Sequence, residues 1–281
     1  MPSFDLSRSR FRLSDEHLIV LGELGSGAGV PDGFATAHEE LVACGLVDAE
    51  DRLAQPLLPL VRTFLSAGVV VSLETAGRQG RLEHGMFIGE EDVVAFEAWP
   101  GERESEYSLV EPRTLVWKLA AMVALRQSRT VRETALPAVD TTVATVEAGF
   151  AALERAAAAP TGDEERRIVR EALGAGGALA GPALSLLTEL MSELRSSWRM
   201  TAAWQGRDGG RTGVEGRGFA VWDCGPLGYW LRELPEEPLP ADQVTPGSPF
   251  RLARTDARTV WSRITDLLPD QAELRAAAAA R

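Results

Sequence analysis

The sequence predicts an α+β protein of two quasi-repeated halves, each an antiparallel sheet with flanking helices, related by a pseudo-twofold axis. The pattern x-Leu-Ala-x-Pro-x-Leu occurs at residues 52–58 and returns at 178–184. A segment that begins with Arg-Thr and contains Trp occupies 113–119 and returns at 258–264. Helical and then alternating hydrophobic periodicity follow in the same order in both halves. The period is several times longer than a solenoid repeat, so it indicates two copies of one α+β unit.

Length and composition fit this organisation. The chain has 281 residues, of which 45% are apolar and 25% charged, as in ordinary globular proteins. We assign residues 1–130 to the first repeat and 131–281 to the second, within one compact unit. The net charge of −12 argues against nucleic acid and anionic membranes as partners, since both bind a basic face.

Three features of the sequence bear on the cellular compartment. Residues 1–5 lack the basic-then-apolar pattern of a signal peptide, and no apolar run approaches the roughly 20 residues of a membrane span. Cys44 and Cys224 are the only cysteines. Nothing in the sequence demands the one disulfide that they allow, and we expect two reduced, buried thiols. A cytoplasmic location is therefore expected.

Helical signals open the first half. Ser14 followed by two acidic residues predicts a helix N-terminus, and glycines from Gly25 onwards end that helix. Residues 33–45 predict a second helix, which a glycine stops. Residues 53–66 predict a third, with Pro56 in its first turn, where the missing N–H is harmless.

Alternating hydrophobicity then predicts the first sheet. The strands are expected at 69–74, 81–88, 93–99 and 106–110, before a helix from 112 to about 127. Short polar connections separate these runs, so an antiparallel meander is predicted.

The second half is predicted to repeat this order after a connector at 128–140. Helices are expected at 141–158, 161–174 and 182–195. Strands are expected at 198–204, 218–222, 227–234 and 250–254, interrupted by loops at 205–216 and 235–249 and followed by a helix at 256–268 and a frayed tail at 276–281. We expect the two sheets to form one continuous or abutting sheet, because an open sheet leaves edges that need cover.

No catalytic or metal constellation emerges from the sequence. The histidines His17, His38 and His84 lack the H-E-x-x-H spacing of a metalloprotease, and we predict no metal site. A nucleophilic Cys224 would need a histidine base, and all three histidines lie in the other half. We therefore predict a β-turn at 223–226, a flexible linker at 25–29, no catalytic residues and no cofactor.

Tryptophans are concentrated in the second sheet. Trp117 and Trp261 occupy equivalent places on two predicted helices, where core positions are expected. Four more lie in predicted strands or beside them: Trp198, Trp204, Trp222 and Trp230. Part of this set suits a core, but so many tryptophans in one sheet also suit an aromatic binding face.

Along residues 10–270, the layout, length and apolar pattern are similar to those of a known family. An N-terminal helix leads into EELVACGLVDAEDRLAQPLLPLVRTFLSAGVVVSLET, and the hairpin GRLEHGMFIGEEDVVAF follows. The second half ends with RGFAVWDCGPLGYWLREL and then FRLARTDARTVWSRITDLLP. On these segments the chain resembles the EspG family, the cytosolic secretion-associated proteins of actinobacterial type VII (ESX) secretion.

The resemblance implies an α+β fold with quasi-twofold symmetry and a chaperone role that involves no catalysis. Members of this family bind a helical secretion substrate of the PE–PPE kind and keep it soluble for export. Their binding region lies on the sheet and its loops, together with part of the helical bundle. The Trp-rich second sheet and the Gly/Arg segment at 205–216 are departures from the family pattern.

We accordingly predict a helical secreted partner and a partner-binding surface on the sheet. Arg78 and Arg81 at the first hairpin turn, with Trp204, Trp222 and Trp230 of the second sheet, are expected to face the partner. On this hypothesis Trp222→Ala or Arg78→Glu weakens capture without unfolding the protein.

A second class of function stays open beside the first. A duplicated protein of this kind also suits small-molecule binding or regulation, with a ligand in the cleft between the halves. An enzyme ranks third, because the sequence presents no catalytic constellation.

Overall fold

The protein has an α+β fold, as predicted. The computed structural model describes residues 1–77, 80–126, 131–157, 159, 161–208, 211–234 and 243–278. Its α-helices are α1 (Asp15–Ser26), α2 (Ala35–Ala43), α3 (Leu58–Leu65), α4 (Leu115–Met122), α5 (Val143–Ala156), α6 (Gly162–Gly174), α7 (Gly181–Ser192), α8 (Ala257–Leu267) and α9 (Gln271–Ala278).

The described strands form one eleven-stranded sheet. They are β1 (Ser3–Asp5), β2 (Arg10–Leu13), β3 (Val69–Gly77), β4 (Gly80–Ile88), β5 (Val93–Ala98), β6 (Ser105–Val110), β7 (Ala138–Thr142), β8 (Ser196–Asp208), β9 (Arg211–Asp223), β10 (Tyr229–Glu233) and β11 (Pro249–Thr255). We call β1–β6 the first strand set and β7–β11 the second strand set.

The antiparallel pair β3–β8 joins the two strand sets. Its register runs from Val69 opposite Trp204 to Gly77 opposite Ser196. Outward from this pair the strand order is β3-β4-β5-β6-β2-β1 on one side and β8-β9-β10-β11-β7 on the other. The expectation of a continuous sheet is therefore confirmed.

The first strand set contains two strands more than the four that the sequence predicts, β1 and β2, and the second strand set contains one more, β7. The strand β2 precedes the first helix and pairs with β6, and Phe11 and Leu13 point into the core. The strand β7 spans the end of the predicted connector and the start of the helix predicted at 141–158, and it pairs with β11, where Val139 is opposite Leu252. Both strands are short, so long-range pairing stabilises them more than local propensity does.

The predicted loop at 205–216 is largely β-structure, so this prediction is wrong. The strands β8 and β9 pair continuously as far as Asp208 opposite Arg211. They extend beyond the neighbouring strands, since the pairing of β8 with β3 ends at Trp204 and the pairing of β9 with β10 ends at Ala220. The Gly-rich composition of this segment suggested turns, but cross-strand pairing decides its conformation.

Polar caps begin several helices where the sequence predicts them. The Ser14 hydroxyl accepts a hydrogen bond from the His17 backbone N–H, and the Ser14 backbone N–H donates to His17 Nδ1 at 2.9 Å. At the start of α6 and α8, the side chains of Thr161 and Asp256 accept hydrogen bonds from the backbone N–H groups of Glu164 and Thr259. The predicted helix at 53–66 begins instead as a 3₁₀ turn, Gln55–Leu57, and the predicted tail is helical in α9 up to Ala278.

Apolar side chains of the described residues form three cores on the two faces of the sheet. The central core lies beneath β3, β4, β8 and β9 and is covered by α4 and α8. The first flank core lies under α1–α3, and the second flank core under α5–α7. Successive strand residues divide between cores: Val93 is central and Val94 is in the first flank, while Val221 is central and Trp222 is in the second flank. The flank cores therefore lie on the sheet face opposite the central core.

Gly85 of β4 provides a test of this packing. A Cβ atom at Gly85 would lie 2.2 Å from the Val71 carbonyl oxygen and 2.6 Å from the Phe96 ring. We expect Gly85→Ala to lower the free energy of unfolding by about 1–3 kcal/mol, because both neighbours are fixed in the sheet. Urea denaturation of the purified protein measures this loss.

Gly29→Ala is the matched control, since nothing lies within 4 Å of a Cβ at that position. It should leave the urea midpoint unchanged. Equal midpoints for the two variants would contradict the close approach at Gly85.

Candidate partner-binding cleft

An open strip of sheet runs between the two flank groups of helices. On the face opposite the central core, α1–α3 cover β5, β6 and β2, while α5–α7 cover β9, β10, β11 and β7. Among the described residues, no helix forms a hydrophobic core over the strip of sheet between these two groups of helices. We call this strip the cleft floor; it consists of Val70, Ser72 and Glu74 on β3, Arg81 and Glu83 on β4, Arg199, Thr201 and Ala203 on β8, and Gly216 and Gly218 on β9.

Small side chains line the middle of the cleft floor. Directly opposite pairs across the joint are Val70 with Ala203 and Ser72 with Thr201. Val70 is 36% exposed, and Gly216 and Gly218 are exposed as well. Because these side chains are short, another backbone or a bulky apolar side chain can approach the sheet closely.

Two arginines of the first hairpin were predicted to face a partner. The structure places Arg81 on the cleft floor, exposed, where its Nη2 donates to Glu74 Oε2 at 2.8 Å. This exposed pair leaves the guanidinium accessible to a partner. Arg78 lies outside the described residues.

The three tryptophans predicted to face a partner are buried. Trp204 belongs to the central core, where the Arg217 guanidinium lies 5.0 Å from its ring. Trp222 packs in the second flank core against Phe150, with ring centroids 5.5 Å apart. Trp230 is completely buried there, and its indole N–H donates to the Leu227 carbonyl at 3.2 Å. Alternation assigns these residues to faces, but only the tertiary structure decides which faces helices cover.

The opposite holds for Trp117, which was predicted to lie in the core. It is 63% exposed on α4, and its ring lies 4.5 Å from that of Trp261 on α8. This aromatic pair lies on the sheet face opposite the cleft floor.

Arg199 and Arg232 were not singled out from the sequence, although register brings them together. Both lie directly opposite Ala220, one on β8 and the other on β10. Arg232 is half-buried and its guanidinium lies 4.6 Å from the centre of the Phe250 ring. Burial, followed by the positive charge of Arg199, lowers the pKa of Arg232. Correct pairing of three predicted strands would have been needed to find this pair.

The histidines occupy separate places. His17 Nε2 lies 3.0 Å from Glu40 Oε2, and His38 Nε2 lies 2.8 Å from Asp51 Oδ1. His84 accepts a hydrogen bond from the Ala98 backbone N–H at 3.1 Å. In the part of the chain that the structure describes, no group of three His, Cys, Asp or Glu side chains is arranged to hold a metal ion.

The segment at 223–226 forms a tight turn, as predicted. The Gly225 backbone N–H donates to Asp223 Oδ1 at 2.9 Å, and Gly225 and Gly228 have positive φ. Cys224 is buried in the second flank core, and Cys44 is half-buried; they do not form a disulfide with each other. Burial of Cys224 removes it from contact with any substrate in solvent.

A depression of about 540 Å³ opens where the two strand sets meet. It lies at one end of the cleft floor, between the β3–β4 turn and the start of β8. Its lining includes Ala76, Gly77, Arg195 and Ser196. A second depression, of about 650 Å³, lies at the other end of β3 beside the C-terminal part of α3. None of the described helices is long and apolar enough to cross a membrane.

The protein is similar to known proteins at the level of fold. No family model and no curated protein matches the sequence. Among solved structures, the fold is similar to that of a type VII secretion system chaperone. That protein is EspG5 of Mycobacterium tuberculosis, whose structure was solved in complex with the PE25–PPE41 dimer. The TM-score is 0.52 at 11% sequence identity, and the match covers 92% of this chain and 97% of EspG5.

Burial of Trp222 leads to a prediction opposite to the one made from sequence. We expect Trp222→Ala to lower the free energy of unfolding by about 3–5 kcal/mol, because it leaves a large cavity in the second flank core. Trp117→Ala removes the same side chain from an exposed site and should cost less than about 1.5 kcal/mol. Urea denaturation of the two variants makes the comparison, and a similar loss in both would contradict the assigned burial.

His84 should make stability depend on pH. Burial lowers its pKa below the ordinary 6.5, with Glu97 acting in the opposite direction. The unfolded chain therefore takes up a proton before the folded chain does as pH falls. The stability that the neutral imidazole confers is complete above pH 6.5 and declines as pH falls towards the folded pKa.

Imidazole NMR signals followed between pH 8 and 5 should titrate below about 6.5 for His84. In urea, the wild type should lose more stability than His84→Gln between those two pH values. A His84 signal that titrates above 6.5 would refute the assignment.

Proposed function

We propose that this protein is a cytoplasmic chaperone that binds a helical type VII secretion substrate of the PE–PPE kind and keeps it soluble for export. The observation that carries the proposal is the open cleft floor between two helical groups. The fold similarity to EspG5, whose structure contains a bound PE25–PPE41 dimer, supports it. The proposed role is binding without catalysis.

The physical basis of the proposed role is burial of apolar surface. A secreted helical pair exposes apolar residues at its tip, and these residues self-associate in water. A preformed sheet with short side chains such as Ser72, Thr201 and Ala203 can cover such a tip without losing much conformational entropy. Helical groups on both sides of the cleft floor would restrict how the tip enters.

We further propose that residues 1–130 and 131–281 are two copies of one unit, related by a pseudo-twofold axis at the β3–β8 pair. The matching strand order outward from this pair supports the proposal, since β3-β4-β5-β6-β2 corresponds to β8-β9-β10-β11-β7 and only β1 is extra. So does the contact between Trp117 and Trp261, which hold equivalent places in the repeated segments 113–119 and 258–264.

Small-molecule binding is the second candidate. The observation that favours it is the depression of about 540 Å³ at the junction of the strand sets. Ligands of a folded protein raise its melting temperature, so a thermal-shift screen against metabolites separates the two candidates. A saturable shift with one metabolite, together with failure to bind any helical substrate, would favour this reading.

The main proposal is tested by blocking the cleft floor. The chain is co-expressed with PE–PPE-like pairs encoded in the same genome, and complexes are isolated by size exclusion. Ser72→Trp places a large side chain in the middle of the floor. We expect it to weaken the complex at least tenfold, or about 1.4 kcal/mol, with an unchanged melting temperature.

Ser262→Trp is the matched control, since Ser262 is exposed on α8, on the opposite side of the sheet. It should bind like the wild type. Full affinity of Ser72→Trp, or absence of any complex with these substrates, would refute the proposal.

A further inference from the structure

A row of charged residues crosses the cleft floor from one strand set to the other. Direct cross-strand partners connect Glu83 of β4 to Glu74 of β3, and Glu74 to Arg199 of β8. Arg199 is opposite Ala220 of β9, which is in turn opposite Arg232 of β10. All five side chains lie on the same face, because direct partners in an antiparallel sheet point to the same side. The row is acidic on the first strand set and basic on the second.

Among the described residues, neither Arg199 nor Arg232 at the basic end of the row forms a salt bridge with a carboxylate. Glu74 faces Arg199 across the joint, but its carboxylate is paired with Arg81 at 2.8 Å. Arg232 has the Phe250 ring beside it, 4.6 Å away, rather than an acid. Ala220 has no side chain long enough to separate the two guanidinium groups, whose strands lie roughly 10 Å apart.

Two like charges of this kind are unfavourable in the free protein. Arg232 is half-buried, and both burial and the neighbouring Arg199 lower its pKa, which means that its charged form is destabilised where it stands. A carboxylate between the two guanidinium groups would relieve this repulsion and form charge-assisted hydrogen bonds with both. The site is thus better suited to an anionic group than to water.

We propose that Arg199 and Arg232 together receive an acidic side chain at the tip of the helical partner, and that the charged row fixes which way round the partner binds. This inference rests on the proposed function and adds the chemistry of the partner. The acid of the partner lies over the second strand set. Its apolar residues lie over Val70, Ser72 and Ala203, away from Glu74 and Glu83. A partner entering in the reverse orientation would bring its acid against those two carboxylates.

The test uses disulfide-closed helical hairpin peptides with an apolar tip, in three forms that carry Glu, Gln or Lys at one tip position. Binding to the full chain is measured by fluorescence anisotropy. The Glu form should bind at least tenfold more tightly than the Gln form at low salt, and the difference should shrink as salt is raised. The Lys form should bind most weakly.

Variants of the chain assign this preference to the arginine pair. The double variant Arg199→Gln with Arg232→Gln should bind the Glu and Gln forms equally, and Arg199→Glu with Arg232→Glu should prefer the Lys form. Arg258→Gln removes the same charge from an exposed position on α8, on the opposite side of the sheet, and should keep the wild-type preference. Melting temperatures confirm that each variant is folded.

The outcomes separate this inference from the proposed function. Equal binding of all three peptides to the wild type, blocked by Ser72→Trp, would overturn the role of the arginine pair and leave the cleft as a binding site. A preference for Glu that survives the double Gln substitution would also overturn it. Absence of binding by every peptide would overturn both the role of the arginine pair and the proposed function, because each requires an apolar helical tip on the cleft floor.

Discussion

The structure depends on the antiparallel pairing of β3 with β8. This pair turns two strand sets into one sheet, and it satisfies the backbone groups of two strands that would otherwise be exposed edges. Leu73 and Met200 meet at the middle of the pair and are completely buried in the central core. One residue further along, Ser72 and Thr201 meet on the other face. The same joint therefore creates both the central core and the cleft floor.

The cleft floor stays uncovered because the large apolar side chains of the sheet lie in the three cores. Aromatic residues on the outer strands, such as Tyr107, Trp222 and Trp230, attract the flank helices, which bury them. On β3 and β8 the buried apolar side chains all point to the face covered by α4 and α8. The opposite face retains mainly glycine, alanine, serine, threonine and charged residues, which gain little from a covering helix. An open strip in the middle of a well-packed molecule is the consequence.

Local patterns in the sequence were enough to predict the hairpin strands β3–β6, the continuous sheet and caps such as Ser14. They did not reveal β7, because a short strand is defined by its partner rather than by its own residues. They also misassigned Trp117 and Trp222, one to the core and the other to the surface. Strand alternation shows which residues share a face, whereas exposure of that face depends on helices distant in sequence. The arginine pair was missed for the same reason, since it requires the register of β8, β9 and β10.

This division explains how the fold can be similar to that of EspG5 at only 11% sequence identity. Buried positions such as Leu73 and Trp230 are constrained by packing, and many apolar side chains satisfy that constraint. Cleft-floor positions such as Val70 and Arg199 contribute little to the cores, so they are free to vary with the partner. Fold similarity at this level does not identify a partner, and in the proposed function the charges on the cleft floor would decide what it binds. In the proposed function the deciding feature would be the charged row, because its acidic end and its basic end would distinguish one orientation of a partner from the other.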